Sequence, residues 1–219
     1  MIYQYAIAQD EFTKNENLIM DVSGNFLTRA EAAAAAPGSW IVNNESLASK
    51  FEEFVAGEYI HLNSIIGDNP YWKENSIRDQ NLLMGAILWK HHWWCYALDR
   101  SQKKLYVLDS IHCEPPNEDR RKLDKLVSRR LEELLALVDP KYKVSNKGFS
   151  IIYADVPKQS NGYDCGVYSY KYMELWNVGM KLPQYTEEQC RIFRRDIVSS
   201  CVLYGQNQIQ RKIEENLMP

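Results

Sequence analysis

Between Leu82 and Ser110 the chain leaves itself few options. Leu82–Trp89 is an apolar run that reads as a buried strand. His92-Trp93-Trp94-Cys95-Tyr96-Ala97-Leu98-Asp99 then reads as a histidine entering a hydrophobic strand. Asp99-Arg100-Ser101-Gln102-Lys103 is a short polar turn, and Lys104–Ser110 is the return strand. A hairpin sets the start of its first strand beside the end of its second. His92 and Asp109 occupy those two ends, 17 positions apart, so a carboxylate can reach an imidazole. His91 competes for the same role, but alternation along a strand puts it on the opposite face. Asp99 is another acid, yet it lies beside the turn and far from His92, which favours Asp109.

A second chemical segment lies downstream. Gln159-Ser160-Asn161-Gly162-Tyr163-Asp164-Cys165-Gly166 sets a cysteine at the start of an apolar helical run, with a glutamine six residues upstream. A thiol opening a helix sits in the positive end of the helix dipole, which favours the thiolate. A glutamine amide on the preceding loop can donate to a developing oxyanion. Taken alone, Cys165 could be a buried structural thiol and Gln159 a plain loop amide. A base and an acid to orient it would complete a cysteine hydrolase site, and His92 with Asp109 supplies them.

The local motifs His-Trp, Asp-Ser and Gln-x-x-x-x-Asp-Cys-Gly, in the order His92, Asp109, Gln159, Cys165, resemble those of the ubiquitin-like-protein proteases. These are the SUMO or sentrin-specific group of papain-like cysteine peptidases. The resemblance runs from about Trp40 to about residue 204. It implies His92 as base, Asp109 as its orienter, Cys165 as nucleophile, and Gln159 with the Cys165 N–H as oxyanion donors. Trp40-Ile41-Val42-Asn43 looks like the family's Trp-Leu-x-Asp motif. There the resemblance implies that Trp40 and Trp93 close over a diglycine tail, since two indole faces leave a slot for a chain without side chains. Trp40 reads equally well as a core tryptophan, and Trp94 reads as core. Asn43 departs from the family's acid. The stretch from Asp109 to Cys165 is longer than usual, which implies an enlarged helical insertion.

The remaining pattern suits an α+β, papain-like fold with a central, mostly antiparallel sheet flanked by helices. Residues 1–30 are weakly patterned and read as an N-terminal extension, leaving 31–219 as a single cysteine peptidase domain. An alanine-rich helix is expected at Ala30–Ala36, and a second from Asn44 to about Ala56. Ile60–Ile66 is strand-like and Asp68-Asn69-Pro70 a turn. Glu118–Val138 predicts a long helix with an apolar stripe of Leu123, Leu126, Val127, Leu131, Leu134 and Val138. Phe149–Ala154 predicts a strand and Cys165 to about Val178 a helix. Thr186…Gln189 resembles a capping box for a last helix reaching about Tyr204.

Composition narrows the function classes. At 219 residues with a net charge of −3, the chain lacks the basic balance of a nucleic-acid binder. The clusters Arg120-Arg121-Lys122 and Arg191 with Arg194-Arg195 fall on amphipathic patterns and read as solvated faces or contacts to an acidic partner. Cys95, Cys113, Cys165, Cys190 and Cys201 make an odd number, and no secretory leader or membrane-spanning run is evident. Free thiols in a reducing compartment, nuclear or cytoplasmic, are expected. There is no C-x-x-C or H-E-x-x-H, so no metal and no cofactor is expected. The expected function is cleavage after the C-terminal diglycine of a ubiquitin-like modifier, SUMO first, by a monomer that binds the modifier and its conjugates, without nucleic acid or membrane. The alternatives are a modifier-binding pseudo-protease and another enzyme of the same fold, acting on a different modifier or transferring acyl groups; either could derive from a mobile element.

Overall fold

The structure is a computed structural model that describes residues 18–22, 25–28, Val55, 80–139, 142–145, 147–203 and 207. The elements run β1 (Leu18–Val22), β2 (Asn25–Thr28), β3 (Leu82–Trp89), β4 (His92–Asp99), β5 (Lys104–Leu108), α1 (Glu118–Val138), β6 (Ser150–Tyr153), α2 (Cys165–Leu175) and α3 (Glu187–Val202). They form two compact units. One takes 45–158 and 168–183; the other takes 1–44, 159–167 and 184–219.

The first unit holds a four-stranded sheet in the order β3-β4-β5-β6. β3, β4 and β5 are antiparallel neighbours, and β6 pairs parallel to β5. The β3–β4 turn is the tightest available. Trp89 pairs with His92, and Lys90 and His91 between them both take positive φ, 47° and 63°. Left-handed torsions at both positions match the twist of the two strands. His91 is therefore a turn residue, whereas His92 is the first residue of β4.

β4 is apolar on both faces because both are covered. Trp94, Tyr96 and Leu98 point to one side and form the main core with Leu105 and Val107 of β5, Leu123, Val127 and Leu135 of α1, and Phe149. On the other side the Cys95 thiol donates to the Ser169 carbonyl of α2 at 3.2 Å. Removing such large side chains from water stabilises the fold by roughly 1.5–3 kcal/mol each.

α1 starts where Asn117 accepts from the Arg120 N–H at 2.9 Å. Of its expected apolar stripe, Leu123 and Val127 lie in the core and Leu131 packs against it, whereas Leu126 and Leu134 are half-buried; Leu135, outside that stripe, is buried, and the Val138 side chain lies outside the described residues. Beside that stripe runs a row that apolar periodicity does not show. Arg120, Asp124, Ser128 and Glu132, spaced by one turn, are all buried. The C-terminal half of this row fastens the connection into β6. Ser128 Oγ accepts from the Phe149 N–H at 2.6 Å. Glu132 accepts from the N–H groups of Ser145 at 2.9 Å and Gly148 at 3.1 Å.

In the other unit β1 and β2 form an antiparallel hairpin, within the stretch read as weakly patterned. α3 opens with the expected capping box between Thr186 and Gln189. Its buried face is Cys190, Arg194, Val198 and Val202. Arg120 and Arg194 thus correct the reading of both basic clusters as solvated faces. Each arginine falls in register with its helix's inward side, and each is neutralised there by buried carboxylates. Arg121, Lys122, Arg191 and Arg195 are exposed.

Candidate active site

β4 and β5 position the first pair of functional groups. Cys95 pairs with Leu108, so the next step of the register sets Asp109 across from Trp94, with His92 one alternation further along the same face. The diagonal closes at 2.8 Å between His92 Nε2 and Asp109 Oδ1. The return strand ends at Leu108 instead of Ser110, because Asp109 leaves the ladder to accept from the following turn. Its Oδ1 also takes the N–H groups of Ile111 at 2.9 Å and His112 at 3.1 Å. Oδ2 accepts from Arg120 Nη1 at 3.2 Å.

Asp109 is 1% exposed. Burial alone would raise its carboxyl, but the His92 hydrogen bond and charge and the two N–H donors outweigh it and bring it down to about 2. A carboxylate held charged is suited to fixing an imidazole's tautomer and stabilising its protonated form. The His112 ring stands edge-on to His92 at 5.6 Å between centroids. Burial lowers its pKa, with the positive charges of His92, Arg120 and Lys158 acting the same way against the pull of Asp109.

Beneath the pair lies a network the sequence reading missed. The Arg120 guanidinium sits 3.7 Å over the Trp94 ring, and its Nε reaches Asp124 at 2.9 Å. The hydroxyls of Tyr96 and Tyr153 also donate to Asp124. The spacing of Arg120 and Asp124 by one helical turn is a signal that could have suggested a pair, though not that it is buried. Lys158 Nζ donates to the carbonyls of Asp109 at 2.6 Å and His112 at 3.0 Å. The residue preceding Gln159 is thereby tied to the acid's own backbone. Trp93 follows His92 on the opposite face of β4 from Trp94 and is half-buried. Trp40 and Asn43 lie outside the described residues, as do the expected elements at 30–36 and 60–70 and most of the helix at 44–56.

Cys165 and Gln159 belong to the other unit. Cys165 is the first residue of α2 and is buried, so its own N–H is among those a helix start leaves without an intrahelical acceptor. The loop before it is closed by Asn161, whose Oδ1 accepts from the N–H groups of Tyr163 at 3.1 Å and Asp164 at 3.0 Å. The Asn161 amide donates to Asp164 Oδ2 at 2.7 Å. Arg194, 1% exposed, sets Nε and Nη2 on Asp164 Oδ1 at 2.9 and 2.6 Å and gives Nη2 to the Tyr163 carbonyl at 3.0 Å. The Gln159 amide nitrogen donates to the Asn161 carbonyl at 2.6 Å, which fixes the side chain along the loop. α2 ends at Leu175, before the expected Val178; the Asn177 side chain accepts from the Val178 N–H, and Gly179 takes φ 78°.

Comparison with known proteins gives this arrangement its context. Residues 28–205 match the model of the Ulp1 protease family, C-terminal catalytic domain. Ubiquitin-like-specific protease 1A of Arabidopsis thaliana is 29% identical over 118 residues, covering 54% of this chain and 22% of that protein. A sentrin-specific protease of Caenorhabditis elegans is 28% identical over 112 residues, covering 51% of this chain and 15% of that protein. The chain thus spans about a fifth or less of those two relatives' length. Among solved structures, the C-terminal Ulp1 protease domain in complex with Smt3, the yeast ortholog of SUMO, shares the fold at a TM-score of 0.62. It is 19% identical and each chain is covered to 94%. The catalytic domain of the Chaetomium thermophilum Ulp1-like SUMO protease gives 0.57 at 16% identity, covering 91% of this chain and 86% of that one.

Proposed function

The chain belongs to the Ulp1 protease family, and from that premise we propose that it is a cysteine peptidase that cleaves after the C-terminal diglycine of a ubiquitin-like modifier, SUMO in the first instance. The observation that carries the reading is the part-buried His92–Asp109 pair at 2.8 Å. It comes from the same chain that opens a helix with Cys165 behind a Gln159 loop.

Asp109 holds His92 through Nε2, so Nδ1 is the atom that takes the Cys165 proton. The thiolate attacks the carbonyl carbon of the terminal glycine. The oxyanion is held by the Cys165 N–H and by the Gln159 amide. The C–N bond breaks, the amine leaves with the proton from His92, and a thioester remains. Water, deprotonated by His92, adds to the thioester; the C–S bond breaks, and the carboxylate and thiol are released. Trp93, beside the base, and Trp40 flank the glycines of the tail. Residues 31–219 form the catalytic domain. The five cysteines are free, which suits a nuclear or cytoplasmic setting, and the chain acts as a monomer without nucleic acid.

A panel of modifiers carrying a C-terminal vinyl sulfone tests both activity and modifier choice. One adduct with a SUMO probe is expected, lost in Cys165→Ser and kept in Cys113→Ser, which removes the exposed thiol. Labelling that survives Cys165→Ser would overturn the assignment.

A further inference from the structure

We propose that Arg120 is a positioning residue for the His92–Asp109 pair, a fixed cation behind the acid that sets the direction of its carboxylate. The inference rests on the catalytic reading above and adds to it a residue outside the reacting groups. Three contacts immobilise the guanidinium. Trp94 covers its face at 3.7 Å, Asp124 takes Nε at 2.9 Å and Asp109 Oδ2 takes Nη1 at 3.2 Å. Arg120 is 3% exposed and Asp124 fully buried, so this cation is little screened by water.

The geometry gives Arg120 a task that no other group performs among the described contacts. Asp109 Oδ1 accepts from His92, Ile111 and His112. Those bonds fix one oxygen but leave the carboxylate free to turn about it. Arg120 takes the other oxygen and sets the carboxylate plane, and with it the direction in which Oδ1 meets the imidazole. Asp124 keeps Arg120 in place, and the Tyr96 and Tyr153 hydroxyls keep Asp124 in place. Trp94 completes the link, because its ring also lies 5.7 Å from that of His92. A lysine cannot reproduce this arrangement. The role needs a planar cation that stacks on an indole and presents separate N–H groups to two carboxylates.

The charge has its own consequence. The ionisable groups facing the pair are Arg120 and Asp124 from α1, Tyr96 from β4, Tyr153 from β6, His112 from the turn after β5, and Lys158 from the segment after β6. Arg120 and Lys158 are the permanent cations, and both disfavour a protonated imidazole at neighbouring His112. Without Arg120 the charge of Asp109 is less balanced and the His92 imidazolium is favoured, so the limb of the pH–rate profile carried by His92 moves to higher pH.

The test compares Arg120→Lys, Arg120→Met and the double variant Arg120→Met/Asp124→Asn with the unaltered chain, on a SUMO precursor or a SUMO-derived fluorogenic substrate. Folding is checked by circular dichroism and thermal unfolding. The expected result is a kcat that falls in the order Arg, Lys, Met, reaching roughly 10- to 100-fold, the scale of small misplacements of reacting groups. KM should stay within about twofold. In the methionine variants the His92 limb should rise in pH, and the downfield proton resonance of His92 Nε2–H should move. A role confined to stability would lower the folded fraction and leave kcat per folded molecule, the pH limb and the resonance unchanged; that result overturns the proposal. If the methionine variants do not fold, Arg120→Lys decides, since it keeps the charge. Wild-type kcat and an unmoved resonance in Arg120→Lys would then sink the idea. Failure of the catalytic reading itself would look different, as an unaltered chain that turns over no modifier.

Discussion

At the scale of single residues, Asp109 shows how the fold holds a charge where water does not reach. Four donors surround it, and its carboxyl lies at about 2, below the ordinary 3.8. A depressed folded value means the stabilisation is complete above about pH 4 and is lost as pH falls towards 2. The shift corresponds to about 2 kcal/mol. Urea unfolding at pH 6, 4 and 2 should show the wild type losing about that much more stability than Asp109→Asn over the lower interval. Parallel curves would mean that Asp109 does not contribute to acid unfolding. In the same variant the amide presents the wrong donor and acceptor to His92, and kcat should fall by roughly 10⁴, the scale of a triad with its tautomer misassigned. Arg120 and Arg194 make the complementary point. Sequence pattern alone places both at the surface, because arginine inside a helical pattern is normally solvated. Their burial depends on carboxylates that only the folded chain brings to them, Asp109 for one and Asp164, 30 positions away, for the other.

At the scale of elements, most of the architecture of the described residues was legible and the exceptions share a cause. The bounds of β3, β4 and α1 coincide with those read from the residues, because unbroken apolar runs and one strong stripe leave little ambiguity. β5, β6 and α2 are shorter than read, since side chains or a left-handed glycine end them. The parallel pairing of β6 with β5 depends on how α1 crosses between them, which no local pattern specifies. The hairpin β1–β2 is made of strands too short to establish an alternation. The site was read through motifs, and its supporting groups Arg120, His112 and Lys158 carry none. The entry into β6 offers a test at this scale. Gly148 takes φ 72°, and a Cβ there would lie 2.6 Å from Ser128 Oγ, the atom that accepts the Phe149 N–H. Gly148→Ala combines backbone strain with loss of that bond and should destabilise the chain by roughly 1–3 kcal/mol. Unchanged denaturant unfolding would show that the connection relaxes at no cost.

At the scale of the whole molecule, the reading requires that a substrate tail reach the reacting groups through a passage too narrow for side chains. Replacing the penultimate glycine of the modifier by alanine should nearly abolish cleavage, whereas changes beyond the scissile bond should matter little. Trp93→Ala should relax that discrimination at a cost in rate, because the tail is held less well. Kinetics on the two tails side by side decide the matter, and equal turnover by the unaltered chain would point to a different chemistry on this fold. One further feature bears on when such a protease becomes active. The loop leading into Cys165 is braced by Arg194, and Asp164 has no arginine there until α3 exists. On the ribosome Cys165 is synthesised before Arg194, by about 2–6 s at roughly 5–20 residues per second. The Asn161 contacts are available to the nascent loop at once, whereas the arginine contacts to Asp164 and Tyr163 wait for the later helix. Under the proposed function, that order of synthesis acts as a safety catch.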